Sequence, residues 1–362
     1  MSAVAADPRP SIDRQALTPI RALIVLAWLA FISEVIIVGT GGAVRLTDSG
    51  LGCSQWPLCT PESLVPTRAL GIHGFIEFGN RTMTGVLSVL ALAVLFVTLG
   101  SFNGRRAVRT ALIFATGSVV AAALVFAIVK LAGGEAFPFA VLALLVVVIA
   151  AAIVSSRQAA VRRDLVILAW IAFIGIVAQA FVGGIIVITG LNPFIVGFHY
   201  VSSLLLVCLT AVFLVRSYEP VGPRERAVPT WFLILTHVTS LVLTVTIFFG
   251  VLTTGNGPHS GDANVKRNGF DASVLAHIHS LPGYALFTLV LLLLVAAWAK
   301  RLRPRKWLTA QLALLLVQIA VGVWQARNGL PPLLVGVHMV LAVLSAACFT
   351  VVVLRLKRPA RR

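Results

Sequence analysis

The chain has 362 residues, of which 59% are hydrophobic and 11% charged, and its mean hydropathy is +1.00. A soluble domain of this length carries roughly a quarter charged residues, so the composition excludes a soluble globular protein. The formal net charge of +17 does not indicate a nucleic-acid partner, because Arg and Lys stand in short clusters between apolar segments and not along one polar surface.

Ten apolar segments follow one another along the chain, each long enough to cross a hydrocarbon layer of ~30 Å. We predict membrane-spanning helices over 22–43, 72–100, 110–131, 138–156, 164–188, 194–215, 230–252, 273–299, 307–326 and 333–354. We expect the first segment to stay as a helix and not to be removed as a signal peptide, because it is long enough to span. The sequence therefore predicts an all-α polytopic membrane protein of about ten transmembrane helices.

Most of the 29 basic residues fall on one side of this predicted topology. Basic clusters at 105–109, 157–163, 300–306 and 355–362 all lie on the side that also holds the N-terminus. The positive-inside rule places that side in the cytoplasm. We therefore expect a multi-pass protein of the cell (inner) membrane, embedded in the lipid bilayer with both termini in the cytoplasm.

The four cysteines divide into two kinds. Cys208 and Cys348 lie inside apolar segments, where cysteine usually acts as a small core residue. Cys53 and Cys59 share a short loop that the topology places outside, where disulfides persist, and Pro57 lets the segment turn back on itself. We predict a disulfide between Cys53 and Cys59, with two free thiols as the alternative.

Two stretches of the chain, 179–199 and 318–338, match at a fixed offset of 139 residues. Identical pairs include Gln179 and Gln318, Gly183 and Gly322, Gly190 and Gly329, Leu191 and Leu330, Pro193 and Pro332, Val196 and Val335, Gly197 and Gly336, and His199 and His338. Both copies end on the outer face and point the same way, which predicts parallel repeats related by an axis along the membrane normal. The fold prediction is therefore two pseudo-symmetric four-helix bundles plus one extra helix pair.

The repeat also predicts the domain boundaries. The extra pair, 110–156, adds two crossings to the first half and so leaves the orientation of the following helices unchanged. The predicted units are a cytoplasmic N-terminal segment (1–21), an N-terminal bundle (22–216), a cytoplasmic linker (217–229), a C-terminal bundle (230–355) and a basic cytoplasmic tail (356–362).

Histidines of the second half fall at one depth in the outer leaflet. Pro332 suits the first turn of its helix, and His338 follows six residues later, about 9 Å in at ~1.5 Å per residue. His279 lies eight residues after Asp271, a predicted N-cap. Neutral imidazoles from two helices are the axial ligands of b-type hemes, and zinc is disfavoured because no Cys, Asp or Glu joins them at ligand spacing. We predict that His279 and His338 bind a heme, with His277 as the alternative ligand or a propionate neighbour.

The first half carries an incomplete version of this pair. His199 occupies the repeated position, but the polar residue at matching depth on the second helix is Asn80, a poor iron ligand. His73, Glu77, Asn80 and Arg81 lie on one helix face by their spacing. Glu77 and Arg81 form either a salt bridge near the membrane surface or part of a heme pocket, with Glu77 beside the macrocycle and Arg81 near a propionate. An open or weakly held iron position suits a substrate heme better than an electron carrier.

Two other classes of function stay open at this point. A diheme b-type electron-transfer subunit usually stacks its hemes at two depths with paired histidines, whereas here the candidates lie at one depth and one pair is incomplete. A transporter is consistent with repeats and with Glu34, a carboxyl in mid-membrane that stays protonated or finds a partner. It needs neither histidines in register nor the cysteine loop.

Four motifs resemble the heme A synthase family. They are 41–59 (GGAVRLTDSGLGCSQWPLC), 77–81 (EFGNR), 189–199 (TGLNPFIVGFH) and 254–262 (TGNGPHSGD). The resemblance implies two four-helix bundles with a bound heme b in the C-terminal half and a substrate heme O site in the N-terminal half. It also implies an oxidoreductase that converts a heme methyl group to formyl by successive hydroxylations and supplies heme A to terminal oxidases.

The same resemblance assigns roles to individual residues. It implies heme ligation by His279, His338 and, in the first half, His199, a role in the oxidation for Glu77, and a disulfide between Cys53 and Cys59. As a hypothesis, Glu77 stabilises positive charge that develops on the methyl carbon, or takes a proton from attacking water. The chain departs from the family pattern in having Asn80 where many members have His, in lacking a second cysteine pair, and in carrying the helix pair 110–156. A heme O synthase partner and a homo-oligomer stay open.

Overall fold

The computed structural model describes residues 21–134, 136–262, 265, 267 and 269–360. The predicted cytoplasmic segment 1–21, apart from its last residue, and the last two residues of the basic tail lie outside the described residues.

Within the described ranges, nine helices are long and apolar enough to cross a membrane. They are α1 (Arg21–Leu46), α2 (Gly71–Leu131), α3 (Ala136–Gln158), α4 (Arg163–Ile188), α5 (Pro193–Ser217), α6 (Thr230–Asn256), α7 (Ala272–Ala299), α8 (Arg305–Arg327) and α9 (Pro332–Leu354). The ends of the predicted spans agree with these helices to within four residues, except that two predicted spans fall in α2.

Helix α2 is a helical hairpin. Its 61 residues would extend about 90 Å as one straight helix, three times the thickness of a hydrocarbon layer. Gly104 interrupts it with φ 76° and ψ −179°, a conformation that favours glycine. A Cβ at Gly100 would lie 3.4 Å from Cγ2 of Val108. Residues eight apart in a straight helix are about 12 Å apart, so this contact shows that the chain turns back at Gly104. The two arms are the two predicted spans, so the described part of the chain contains ten apolar crossings, as predicted.

Local chemistry explains where the functional helices begin. The Asn192 side chain accepts hydrogen bonds from the backbone N–H groups of Phe194 and Ile195 at the start of α5. Asp271 caps α7 in the same way, as predicted. Hydrogen bonds from the Ser273 hydroxyl and from backbone N–H groups of the first turn hold the pKa of the Asp271 carboxyl below its ordinary value.

The helices pack as two groups that meet through α1 and α5 of the first group and α6 and α9 of the second. Helices α1, α2, α4 and α5 contact one another, as do α6, α7, α8 and α9. Helices α1, α5 and α9 share an apolar cluster that includes Val38, Leu204, Val207, Val343 and Ala346. Large apolar side chains are exposed along the outer faces of the helices. Soluble proteins rarely expose apolar patches of this extent to water. The chain is therefore an all-α multi-pass membrane protein, which confirms the predicted fold class.

A small two-stranded sheet was not predicted. Strand β1 (Arg224–Arg226) pairs antiparallel with β2 (Lys357–Pro359). Glu219 accepts hydrogen bonds from Arg224 and, at 2.9 Å, from Arg355. The segment between the two helix groups is thus joined to the C-terminal segment. Three-residue charged strands carry no apolar alternation, so the sequence gives no strand signal there.

Candidate heme sites

Four polar side chains each face a glycine of the neighbouring helix. The pairs are Asn80 with Gly41, His199 with Gly183, His279 with Gly250, and His338 with Gly322. In the repeat, the pair on α1 and α2 corresponds to that on α6 and α7, and the pair on α4 and α5 corresponds to that on α8 and α9. The structure thus places Asn80 where the second half has His279, which is the asymmetry that the sequence predicts.

The two histidines of the second half face each other. The ring centroids of His279 and His338 are 6.3 Å apart, and the ring planes are inclined at 77°. Metal–imidazole bonds are about 2 Å long, so two imidazoles on opposite sides of one metal ion have ring centres about 6 Å apart. The spacing of His279 and His338 therefore fits a bis-histidine heme iron.

Close helix contacts set this spacing. A Cβ at Gly250 would lie 3.0 Å from Cε1 of His279, and a Cβ at Gly322 would lie 3.0 Å from Cε1 of His338. Both distances are shorter than an ordinary carbon–carbon contact of about 3.5–4.0 Å. Glycine is therefore what lets each imidazole lie against the adjacent helix. We did not predict this role from the sequence, although Gly322 and its counterpart Gly183 are among the identical pairs of the repeat.

His277, the alternative ligand, lies elsewhere on its helix. Its side chain is exposed, as expected for a residue two positions from His279. The structure brings His279 next to His338 and does not bring His277 there.

A cavity of about 490 Å³ lies in the first group of helices, within the range of small-molecule sites. Glu77, Asn80, Arg81 and His199 all line it. Other lining residues come from the cysteine loop and from the outer loop of the second half, namely Trp56, Pro57, Ser260 and Gly261. The cavity thus gathers four of the five residues that the sequence assigns to the substrate site.

His73, the fifth of these residues, is not part of the cavity lining. Its side chain is exposed, and Nδ1 shares a hydrogen bond of 2.9 Å with the Ser49 hydroxyl. His73 therefore lies at the outer surface of the loop region, one helical turn before Glu77.

Glu77 and Arg81 form an ion pair, Nη2 to Oε1, of 2.5 Å, in which the Glu77 side chain is buried and that of Arg81 is partly exposed. Oε2 of Glu77 accepts a hydrogen bond of 2.6 Å from the Cys53 backbone N–H. Arg81 also donates at 3.0 Å to the backbone carbonyls of Cys53, Gln55 and Leu58. The predicted salt bridge is therefore present, and both of its side chains line the cavity.

The Cys53–Cys59 disulfide is present, as predicted. Together with the Arg81 contacts it fixes the loop, so that Trp56 lies against Gly184 and packs edge-on against Phe181. The loop thereby contributes Trp56 and Pro57 to the lining of the cavity.

Glu34 lies at the inner end of the same cavity. It is buried, and its Oε1 has no hydrogen-bond partner within the part of the chain that the structure describes. The predicted alternatives for this carboxyl were protonation or a partner, and the structure provides Oε1 with no partner.

Arg45 is a site residue that was not predicted from the sequence. It lines the cavity, and its guanidinium donates to the backbone carbonyls of Thr254 and His259 at 2.6 and 2.8 Å. These contacts connect the end of α1 to the outer loop of the second half. Arg45, Thr254 and His259 all belong to motifs of the family resemblance, which was the available signal.

Comparison with known proteins gives one family. The COX15-CtaA family model, described as cytochrome oxidase assembly protein, matches residues 24–131 and 139–260. A heme A synthase of Exiguobacterium sibiricum is 36% identical over 90 residues, which are 25% of this chain and 30% of that protein. A heme A synthase of Lysinibacillus sphaericus is 36% identical over 104 residues, which are 28% of this chain and 33% of that protein.

A protein with a different name also matches. A protoheme IX farnesyltransferase of Thermus thermophilus is 35% identical over 105 residues, which are 27% of this chain and 17% of that protein. The chain spans a third or less of the length of each of these curated relatives. The family model, by contrast, matches well over half of the chain. The chain therefore belongs to the COX15-CtaA family of cytochrome oxidase assembly proteins, which confirms the resemblance noted in its sequence.

Proposed function

We propose that the protein is a heme A synthase, which oxidises a methyl group of heme O to formyl by successive hydroxylations and supplies heme A to terminal oxidases. The observation that carries the proposal is the pairing of two unequal sites, a facing His279–His338 pair in one half and a cavity with His199 and Asn80 in the other. Two of the relatives bear the name heme A synthase. The proposed division is a substrate site in the bundle 22–216 and a cofactor site in the bundle 230–355.

In this proposal His279 and His338 hold a heme b through one imidazole nitrogen each. Such a heme supplies one-electron transfer. The protein's own contribution is to fix the two rings at the observed spacing, with glycines at 250 and 322 beneath them. A heme held by both of these histidines would serve as a resident electron carrier, so the oxidation is assigned to the other half.

The substrate heme O occupies the cavity in the first half. His199 offers one imidazole, whereas Asn80 opposite it offers a weak ligand whose Oδ1 already accepts a hydrogen bond of 2.8 Å from the Thr40 hydroxyl. A heme held by one strong ligand can be exchanged, which a substrate requires and a resident cofactor does not. This difference favours the synthase over a diheme electron-transfer subunit.

Arg81 has no spare hydrogen-bond donor for a propionate. A guanidinium carries five N–H groups, and Arg81 makes five hydrogen bonds, two to Glu77 and three to carbonyls of the cysteine loop. Arg81 therefore holds the loop in place, and its charge is balanced by the Glu77 carboxylate in the ion pair. A propionate near Arg81 would gain no direct hydrogen bond from it.

Glu77 carries the proposed chemistry of the first half. Each hydroxylation replaces one hydrogen of the methyl group by a hydroxyl group taken from water and releases two protons and two electrons, the electrons passing to an external electron acceptor. The geminal diol left by the second hydroxylation loses water to give the formyl group. The Glu77 carboxylate is buried beside the cavity and held on both oxygens. Held in this way, it stabilises positive charge on the reacting carbon without having to reorient, and the low dielectric strengthens that interaction.

Co-expression with a heme O source, in a host that makes no heme A, tests the function. We expect heme A in extracts of the wild-type membranes, identified by mass. A Glu77→Gln variant keeps the shape of the side chain but loses its charge, and we expect it to retain heme b and make no heme A. The matched control is Glu225→Gln, which alters an exposed carboxylate paired with Arg358. Full heme A formation by Glu77→Gln would remove Glu77 from the mechanism, and no heme A from the wild type would overturn the function.

The setting of the protein is also part of this proposal. The basic clusters support a location in the cell membrane with both termini in the cytoplasm. A heme O synthase partner is supported by the match to a protoheme IX farnesyltransferase, since that name describes the transfer of a farnesyl group to heme.

A further inference from the structure

The three histidines that each lie against a glycine, His199, His279 and His338, differ in the hydrogen bonding of Nδ1. Nδ1 of His279 shares a hydrogen bond of 2.9 Å with the backbone carbonyl of Thr246. Nδ1 of His199 and Nδ1 of His338 are buried and have no hydrogen-bond partner among the described residues. Histidines that bind a metal through one nitrogen almost always donate the other N–H to an acceptor. An acceptor is therefore missing at two of the three positions.

The acceptor for His279, the backbone carbonyl of Thr246, has an equivalent position in the repeat of the second half. Thr246 lies four residues before Gly250, one helical turn below the glycine that faces His279. The equivalent position on α8, four residues before Gly322, is Gln318. Residues four apart share a helix face, so Gln318 lies on the face of α8 that contacts His338.

Gln318 has an unused acceptor at this position. Its Nε2 donates to the backbone carbonyl of His338 at 3.1 Å, which places the amide beside that residue. Its Oε1 is buried and has no partner in the described ranges. A Cβ at Gly322 would lie 3.4 Å from Nδ1 of His338 and 3.9 Å from Nε2, so the Nδ1 edge of the ring faces α8.

We propose that Gln318 is a positioning residue whose side-chain carbonyl accepts the Nδ1–H of His338, leaving Nε2 unprotonated for iron. The proposal rests on the proposed heme site of the second half. The proposed hydrogen bond joins two buried groups that both lack a partner among the described residues, Nδ1 of His338 and Oε1 of Gln318.

The first half repeats the arrangement. Gln179 lies four residues before Gly183, and its Oε1 is likewise buried without a partner in the residues described. Its Nε2 donates to the Ser202 hydroxyl at 2.5 Å, and that hydroxyl lies within hydrogen-bond distance of the backbone carbonyls of Phe198, at 2.6 Å, and His199, at 3.2 Å. The matching position in the repeat and the unpartnered Oε1 support the same role for Gln179 toward His199, although its Nε2 contacts Ser202 and not the backbone carbonyl of the histidine.

An acceptor on Nδ1 has a measurable electronic effect. It fixes the tautomer and the ring orientation and makes the ligating nitrogen more basic. A more basic ligand stabilises ferric iron more than ferrous iron, so the hydrogen bond lowers the midpoint potential of the heme, one of the levers by which proteins tune hemes. A residue that only fills space on α8 would have no such directed effect.

The test uses the purified full-length protein with its heme, in wild type and three variants. Gln318→Leu removes the acceptor, and Gln318→Glu keeps an acceptor oxygen. Gln311→Leu is the control, because Gln311 is a buried glutamine two turns away on α8 with an unpartnered Oε1, and it donates to Ser345 instead. The measurements are heme per protein and the midpoint potential from a potentiometric titration.

We expect Gln318→Leu to raise the midpoint potential and to weaken heme binding by about 10- to 100-fold. Gln318→Glu should restore heme content and bring the potential to the wild-type value or below it, and Gln311→Leu should match wild type. Wild-type potential and heme content in Gln318→Leu would overturn the inference and leave the proposed function intact, as would equal shifts in Gln318→Leu and Gln311→Leu. A wild-type protein that purifies without heme would instead overturn the proposed function.

Discussion

Replacing Gly322 by alanine is the most direct perturbation of the histidine spacing. The new methyl group would lie 3.0 Å from Cε1 of His338, against an ordinary contact of about 3.5–4.0 Å, so the ring must move by roughly 0.5–1 Å. Metal sites hold their ligand distances to about 0.2 Å. Overpacking of this kind costs about 1–3 kcal/mol, which corresponds to about a 5- to 150-fold loss of affinity for heme.

The matched control is the same substitution at Gly183 in the first half. A Cβ there would lie 3.8 Å from Cε1 of His199, an ordinary contact. Alanine also favours a helix over glycine by about 1 kcal/mol at either site, so a loose helix cannot explain a loss. Heme per protein and the absorption spectrum of the purified variants are the assay. Gly322→Ala should lose heme from the second half while Gly183→Ala keeps it. A Gly322→Ala protein with wild-type heme content would refute the reasoning.

Three further variants test the first half. Asn80→His supplies the missing imidazole, so we expect a second tightly held heme per protein and slower release of product; unchanged heme content would contradict the account of the open position. Arg81→Lys replaces five donors by three, and we expect heme A formation to fall while heme b stays bound; undiminished heme A formation would show that the loop contacts are dispensable. Removing the disulfide with Cys53→Ser and Cys59→Ser should destabilise the loop by about 2 kcal/mol, seen as faster proteolysis there, and wild-type resistance to protease would contradict this.

The membrane fold was predictable because its signals are local. Apolar length gave the spans, and the cap at Asp271 and the prolines at the starts of α5 and α9 gave helix starts within a residue or two. The hairpin within α2 was predicted as two spans, because Asn103, Gly104 and the basic cluster at 105–109 interrupt the apolar sequence at its turn. The sheet between β1 and β2 depends on a contact across more than 130 residues, which short charged strands do not signal.

Only the part of the site that depends on local signals was predicted. Register within one helix and the internal repeat placed His199, His279 and His338 at one depth, and the structure brings His279 and His338 together. The contacts of Arg81 depend on how the cysteine loop folds over α2, and the spacing of residues along a helix carries no information about a loop path. The glycines opposite the histidines were visible in the repeat, but their role depends on which helices are neighbours.

The central claim is a bis-histidine heme between α7 and α9. Electron paramagnetic resonance of the purified oxidised protein tests it most directly, together with heme content, in wild type and in His277→Ala, His279→Ala and His338→Ala. The account predicts a low-spin signal of a heme with two imidazole ligands in the wild type and in His277→Ala, and its loss in each of the other two variants. Persistence of that signal with full heme content in a protein lacking both His279 and His338 would contradict it.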